Sequence, residues 1–288
     1  MSKLTGRLIS GFGSFYTVEL DGKCVEARAR GRIKKNKTKL YIGDIVDLEQ
    51  EHNTYAIVDV HERKNSIIRP AVANVDKIIV VISSKSPDIN YKQTDKLLAF
   101  LEFHNLPVVI CINKSDLDDC NEIRNVYEKA GYKVIVTSSK NNINIEELKE
   151  ELKNCISAFA GCSGVGKSSL INSIDSNQCQ VTGEVGKIER GRHTTTHASL
   201  LALEFGGYIA DTPGFSVVDI TTIKKEELSS CFKEFNKYSP ECRFNGCMHK
   251  NANGCKVTEA VKNGEIALSR YQSYLELLEE LSSIYQYK

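Results

Sequence analysis

The sequence predicts a multidomain chain. An N-terminal all-β OB-fold barrel is expected over residues 1–66, a central α/β phosphate-loop domain in circularly permuted order over 67–220, and a mostly α zinc-binding region over 221–288. Three observations predict this. Five short strand-like segments, punctuated by Gly, Asn and Asp, fill the first 65 or so residues. Phosphate-binding and base-binding motifs follow at the ends of apolar runs, with the base motif first. Three cysteines and one histidine crowd together after both.

Composition bounds the rest. A length of 288 residues allows two or three domains. Hydrophobic content of 41% and charged content of 26% are those of a globular protein. There is no Trp and no run of eighteen apolar residues, so no membrane span is expected. The opening MSKLTGRLIS lacks the apolar core of a signal peptide. Most of the ten cysteines sit singly in apolar strands or helices (Cys24, Cys111, Cys155, Cys231), which suits reduced thiols in a cytoplasmic protein. Formal net charge is only +1, so the total predicts no nucleic-acid partner, but its distribution does.

In the barrel region, strands are expected near residues 3–10, 14–20, 23–30, 43–50 and 54–62. Between the third and fourth lie Arg28, Arg30, Arg32, Lys34, Lys35, Lys37 and Lys39, with no carboxylate among them. Alone, such a run reads as a solvated loop. On a barrel whose loops grip oligonucleotides it reads as an RNA-binding contact that gives affinity without sequence preference.

Residues 69–76 are the expected crossing into the central domain. Apolar strands at 77–83, 107–112 and 133–136 then alternate with helical patterns at 88–104, 118–130 and 145–154, the rhythm of a doubly wound parallel sheet. The apolar run Ile156, Ala158, Phe159, Ala160 enters Gly161, Cys162, Ser163, Gly164, Val165, Gly166, Lys167 and Ser168, matching G-x-x-x-x-G-K-[ST], and a helix starting near Lys167 continues through Ser169. Backbone N–H groups and a helix N-terminus converge there on an anion. Lys167 would reach the β- and γ-phosphates and Ser168 would hold Mg²⁺.

The base is read elsewhere. Asn113, Lys114, Ser115 and Asp116 follow an apolar run. The Asp carboxylate can accept from the two adjacent N–H donors that guanine presents and adenine lacks. Ser138, within Thr137-Ser138-Ser139-Lys140, is placed to support the base. Asp211 opens Asp-Thr-Pro-Gly, where Asp211 would hold Mg²⁺ through water and the Gly214 N–H would sense the γ-phosphate. Ordinary GTPases run phosphate loop, switch I threonine, DxxG, NKxD. Here NKSD precedes the phosphate loop, so the domain reads as a circularly permuted GTPase.

Residues 176–199 show no period, and an irregular stretch of that length is usually a functional loop. It occupies the switch I position. One of Thr194, Thr195 and Thr196 should ligate Mg²⁺, and Thr195 is the expected ligand. The residue after Gly214 is Phe215, which cannot orient the attacking water as glutamine does in many GTPases. Unassisted hydrolysis should therefore be slow, on the order of 10⁻⁴–10⁻² s⁻¹. His193 is the in-chain candidate to place the water, with Lys167 and Thr195 completing the catalytic set and Arg190 or Arg192 available to neutralise charge. A partner that orders this loop could raise turnover by up to ~10⁵.

A helix is expected over 224–238. Cys242, Cys247, His249 and Cys255 then offer three soft thiols and one imidazole, a donor set for a closed tetrahedral and hence structural Zn²⁺. Leu268, Tyr271, Leu275, Leu278, Leu281 and Tyr285 recur at three- and four-residue steps, which predicts an amphipathic helix packed on the zinc module.

NKSD before GCSGVGKSSL, then GRHTTTH, DTPGF and C-x₄-C-x-H-x₅-C, all after a small barrel, resembles the bacterial ribosome small-subunit-dependent GTPase A family over the whole chain. The resemblance implies an OB-fold, a permuted GTPase and a zinc-finger domain. It further implies GTP hydrolysis to GDP stimulated by the 30S subunit, 16S rRNA binding, and a role in late 30S maturation by a cytoplasmic monomer. It carries GTP contacts onto Asn113, Lys114, Asp116 and residues 161–169, zinc ligation onto Cys242, Cys247, His249 and Cys255, and the switch I histidine onto His193. Two other readings are a permuted GTPase acting on the large subunit and an RNA-binding module whose nucleotide only stabilises the fold.

Overall fold

Alternating apolar and polar residues close a five-stranded barrel at the N-terminus of the computed structural model, which describes residues 4–30, 33, 39–51, 54–67, 71–175, 199–211 and 218–285. The strands up to the middle of the chain are β1 (Leu4–Phe12), β2 (Phe15–Leu20), β3 (Lys23–Ala29), β4 (Ile45–Glu51), β5 (Thr54–Val60), β6 (Ser66–Ile67), β7 (Val72–Ala73) and β8 (Lys77–Ser83). Then come α1 (Tyr91–Phe103), β9 (Val108–Asn113), α2 (Asn121–Lys129), β10 (Lys133–Val136), α3 (Ile145–Leu152), β11 (Ile156–Ala160) and α4 (Lys167–Ile174). The chain ends with β12 (Ser199–Ala202), β13 (Tyr208–Asp211), three short 3₁₀ turns between residues 228 and 241, α5 (Lys256–Lys262) and α6 (Leu268–Tyr285). Two compact units result, one from residues 1–77, 149–159 and 175–215, the other from 78–148, 160–174 and 216–288.

In the first unit β1 pairs antiparallel with both β2 and β4, β2 with β3, and β4 with β5, while β3 meets β5 in parallel and closes the ring. Period-two alternation turns Leu8, Val18, Ala27, Val46, Leu48 and Ile57 inward, all fully buried. The five expected strands are the five observed. At Ser10↔Ser199 the barrel continues into β12, which runs antiparallel to β13, and β13 runs parallel to β11.

One buried charge anchors the barrel. Asp44 is fully buried and accepts from Arg63 through Nε at 2.7 Å and Nη2 at 2.9 Å, and from the Tyr41 N–H at 2.8 Å. The Arg63 guanidinium also lies 4.2 Å from the Tyr41 ring centroid. Its hydrogen bond to Asp44 raises the Arg63 pKa against the opposing effect of burial. Asp44→Ala would strand the arginine and the Tyr41 N–H. A loss of about 3 kcal/mol is expected, measurable as a lowered denaturant midpoint, and an unchanged midpoint would refute this account.

In the second unit β8, β9 and β10 form a parallel sheet in the order β10–β9–β8. Ile78–Val81 and Ile110–Ile112 are fully buried, as strands covered on both faces must be. α1 starts at Tyr91 rather than at residue 88, because Asn90 is extended and its side chain accepts from the Gln93 N–H at 3.0 Å, capping the helix. α2 likewise starts at Asn121 rather than at 118. Asp118 and Asp119 turn their carboxylates onto the backbone N–H groups of Asp119 and Asn121, favouring a turn over a helix.

The helix expected over 224–238 is not formed. Its apolar spacing suits an α-helix, but the chain makes 3₁₀ turns that break at Phe232 (φ −100°, ψ 86°). The break lets Phe232 and Phe235 both enter an aromatic cluster with Tyr274, at centroid distances of 5.4 and 5.0 Å. Tertiary packing overrides helix propensity here. α6 forms as expected and meets the Cys/His segment through two hydrogen bonds, from Tyr271 Oη to His249 O at 2.7 Å and from Tyr274 Oη to Met248 O at 2.8 Å. It also lies along α1, where Lys96 reaches Glu280 and Lys92 lies 3.4 Å from Glu276. Among the described residues, no helix is long and apolar enough to cross a membrane.

Candidate functional site

The phosphate loop leaves β11 through Gly161 and enters α4 at Lys167. Gly161 sits at φ +139°, and a Cβ there would come within 2.2 Å of Val81 O. Gly166 sits at φ +95°, and its Cβ would fall 2.3 Å from Asn113 Nδ2. Both glycines are therefore required by close approach as well as by backbone conformation. Lys167 folds back so that Nζ donates to Gly161 O and Cys162 O, both at 2.7 Å. Burial lowers its pKa, with a nearby Cys162 contribution in the opposite direction. Val165 is buried, whereas Ser163, Gly164, Ser168 and Ser169 are exposed on the open side of the loop.

The NKSD segment opens from the end of β9 beside this loop. Asn113 is fully buried and donates from Nδ2 to Val165 O at 3.1 Å, while its Oδ1 accepts from the Ser139 N–H at 3.1 Å. One amide thus fastens the phosphate loop to both base-side segments. Lys114 sits at φ +64°, and its carbonyl accepts from Ser84 Oγ at 2.6 Å. The Ser115 N–H donates to Thr137 O at 3.1 Å. Asp116 accepts from Ser138 Oγ at 2.6 Å, and Ser138 Oγ in turn accepts from the Asn141 N–H at 3.2 Å. The Ser138 hydrogen bond holds the Asp116 carboxyl below its ordinary range, so it stays an acceptor.

This gives a pH prediction. Carboxylate-dependent binding is present above the Asp116 pKa and is lost as pH falls through it. Ser138→Ala should shift that loss to higher pH and weaken guanine-nucleotide binding on the order of tenfold. Titration with labelled GDP at several pH values reads both effects, and identical profiles would refute the role given to Ser138.

The Cys/His set converges. Donor atoms of Cys242, Cys247, His249 and Cys255 all lie within 4.8 Å of one another. His249 Nδ1 is 3.3 Å from Cys255 Sγ and 3.7 Å from Cys242 Sγ, and the two sulfurs are 4.0 Å apart. Bond lengths near 2.1–2.3 Å in a tetrahedron place ligands roughly 3.5–3.8 Å apart, so the residues fit a metal ion. His249 Nε2 is 3.2 Å from Ser239 Oγ, which leaves Nδ1 toward the cluster, and the Lys256 N–H donates to Cys242 Sγ at 3.3 Å. Burial lowers the His249 pKa and favours the neutral, ligating imidazole.

The remaining expected residues are less gathered. Asp211 closes β13, opposite Ser199 of β12. Arg28 lies 4.4 Å from the Phe15 ring centroid, Lys39 lies 5.6 Å from that of Tyr41, and Arg30 is engaged by Glu49 and by Glu51 at 3.6 Å. His193, Thr195, Gly214, Arg32, Lys34, Lys35 and Lys37 lie outside the described residues. Sequence reasoning missed Gln93 of α1, whose Oε1 accepts from Cys162 Sγ at 3.4 Å, and the buried trio Asp95, Glu234 and Arg270. Charges set among the apolar positions of two predicted helices were the available signal for Asp95 and Arg270.

A family model for the RsgA GTPase matches residues 60–221, more than half of the chain, and a second, for the RsgA N-terminal domain, matches residues 5–58. The chain belongs to the RsgA GTPase family. The resemblance read from the motifs is therefore correct. Relatives similar over nearly the whole chain include "Small ribosomal subunit biogenesis GTPase RsgA" of Caldanaerobacter subterraneus subsp. tengcongensis, 46% identical over 98% of this chain and 97% of that one. The protein of the same name from Ruminiclostridium cellulolyticum is 44% identical over 98% and 95%. Among solved structures, YjeQ from Thermotoga maritima superposes with a TM-score of 0.84 at 40% identity, covering 97% of this chain and 99% of that chain. YloQ, a circularly permuted GTPase, gives 0.83 at 31% identity, covering 98% and 96%. The permuted RsgA domain is thus flanked by a five-stranded N-terminal barrel and a C-terminal Cys₃His cluster.

Proposed function

We propose that this protein binds GTP at residues 161–169 and at Asn113, Lys114, Ser115, Asp116 and Ser138. It hydrolyses GTP to GDP and phosphate and serves biogenesis of the small ribosomal subunit. One observation carries the nucleotide reading: Asn113 fastens the phosphate loop to the segment where Ser138 orients the Asp116 carboxylate. An acceptor held beside a phosphate cradle selects guanine, because another base would leave it unpaired. The names borne by the Caldanaerobacter and Ruminiclostridium relatives support the ribosomal role.

In this reading Lys167 places positive charge against the β- and γ-phosphates and Gly214 senses the γ-phosphate. Ser168, Thr195 and Asp211 would hold Mg²⁺, a hard cation suited to hydroxyl and carboxylate oxygens that neutralises phosphate charge when bound. His193 positions the attacking water, since Phe215 cannot. Cys242, Cys247, His249 and Cys255 hold one structural Zn²⁺. Arg28, Arg30, Arg32, Lys34, Lys35, Lys37 and Lys39 contact 16S rRNA phosphates. The three modules are 1–66, 67–220 and 221–288, and the protein acts as a cytoplasmic monomer until it meets the subunit.

The deciding experiment is GTP turnover by the purified protein alone, with small subunits and with large subunits. Stimulation by small subunits alone, lost in His193→Ala with GTP binding intact, is the expected result. Stimulation by large subunits alone would overturn the small-subunit assignment, and absence of turnover in all three would overturn the catalytic one.

A further inference from the structure

The buried ion cluster of the second unit has no part in the chemistry above. Arg270 of α6 is 1% exposed. Its Nη1 donates to Asp95 Oδ1 on α1 at 2.6 Å, and its Nε and Nη2 donate to the two Glu234 oxygens at 2.8 and 3.1 Å. Tyr127 of α2 donates to the same Asp95 oxygen at 3.2 Å, and the guanidinium lies 4.6 Å from the Phe232 ring centroid. Burial alone would lower the Arg270 pKa, but Asp95 and Glu234 outweigh it and keep the side chain cationic. One side chain therefore pins α1, α2 and the turn carrying Glu234. Buried ion clusters add little net stability over apolar packing, so this one is better understood by what it positions.

What it positions is α1, and α1 leads to the phosphate loop. Gln93, two residues before Asp95, meets Cys162 at 3.4 Å. Gln93, Thr94 and Leu97 form one wall of a cavity of about 290 Å³, with Gly161, Cys162 and Val165 among its other lining residues. Gln93 reaches across this cavity to Cys162, a polar contact in addition to the close approach of Gly161 to Val81 O.

We propose that Arg270 is a positioning residue for the nucleotide site. It fixes α1, and through Gln93 and Cys162 it holds residues 161–168 in the conformation that receives phosphates. This rests on the reading of that loop as the GTP site, which binding of labelled GDP by the unaltered protein tests separately.

The experiment compares labelled-GDP affinity in Arg270→Met, Gln93→Leu, the double variant, Arg270→Lys and Arg63→Met. Arg63→Met is the control, because it breaks a buried ion pair in the barrel. Arg270→Met should weaken GDP binding about tenfold and Gln93→Leu several-fold, the double variant no more than Arg270→Met, and Arg270→Lys should recover part of the loss. Arg63→Met should lower the melting temperature and leave affinity unchanged. Wild-type affinity in folded Arg270→Met, or losses that multiply in the double variant, would overturn the proposal. If Arg270→Met does not fold, Asp95→Asn, which keeps the side-chain volume but removes the charge that holds Arg270 to α1, takes its place with the same criteria.

Discussion

Lys167→Ala is expected to cut small-subunit-stimulated GTP turnover by about three orders of magnitude, ~4 kcal/mol of barrier. The ammonium rests 2.7 Å from Gly161 O and from Cys162 O, over the mouth of the loop. Partial burial strips it of water, which lowers its pKa but strengthens its attraction for an incoming phosphate. Phosphoryl transfer asks the protein mainly for position and charge, so deleting this cation removes a large share of what the site supplies. Single-turnover rates at saturating GTP and saturating small subunits isolate the effect from weakened binding. A rate within tenfold of the unaltered protein would remove Lys167 from the catalytic set.

Stripping the metal should be comparably severe for stability. A chelator, or Cys255→Ser, is expected to lower the melting temperature by about 5 °C, equivalent to ~3 kcal/mol at this size. His249 holds φ +52°, a conformation that costs a non-glycine residue roughly 1–2 kcal/mol, which its surroundings must offset. Its carbonyl is gripped by Tyr271 and its ring by the sulfur cluster, so loss of the ion releases both the strain and α6. Metal analysis of the purified protein should find one Zn²⁺ per chain. A metal-free preparation whose melting curve does not respond to chelator would refute this role.

Both predictions concern residues that could be named from short spacings. Glycine, lysine and serine in one octet and three thiols with an imidazole within fourteen residues are local patterns, and their chemistry survives without knowledge of the fold. The barrel strands were equally legible, because period-two alternation directly reports which side chains face inward. The 224–238 segment misled for the same reason. Leu228, Cys231, Phe232 and Phe235 carry an α-helical spacing, yet the aromatic cluster around Tyr274 claimed Phe232 and Phe235 by another backbone path.

The sequence by itself determined the chemistry on offer: a phosphate loop, a guanine-type acceptor, a soft tetrahedral donor set, and their permuted order. Only the tertiary structure decided how these parts hold one another. Asn113 reaches Val165 across 52 positions and so explains why residue 166 must be glycine. Arg270 reaches Asp95 across 175 positions and ties the C-terminal helix to α1. The physical reason is one of range. Backbone propensity and ligand type are set by neighbours in the chain, whereas close approach, the burial of a charge and the departures from propensity at Phe232 depend on which distant residues the folded chain brings together.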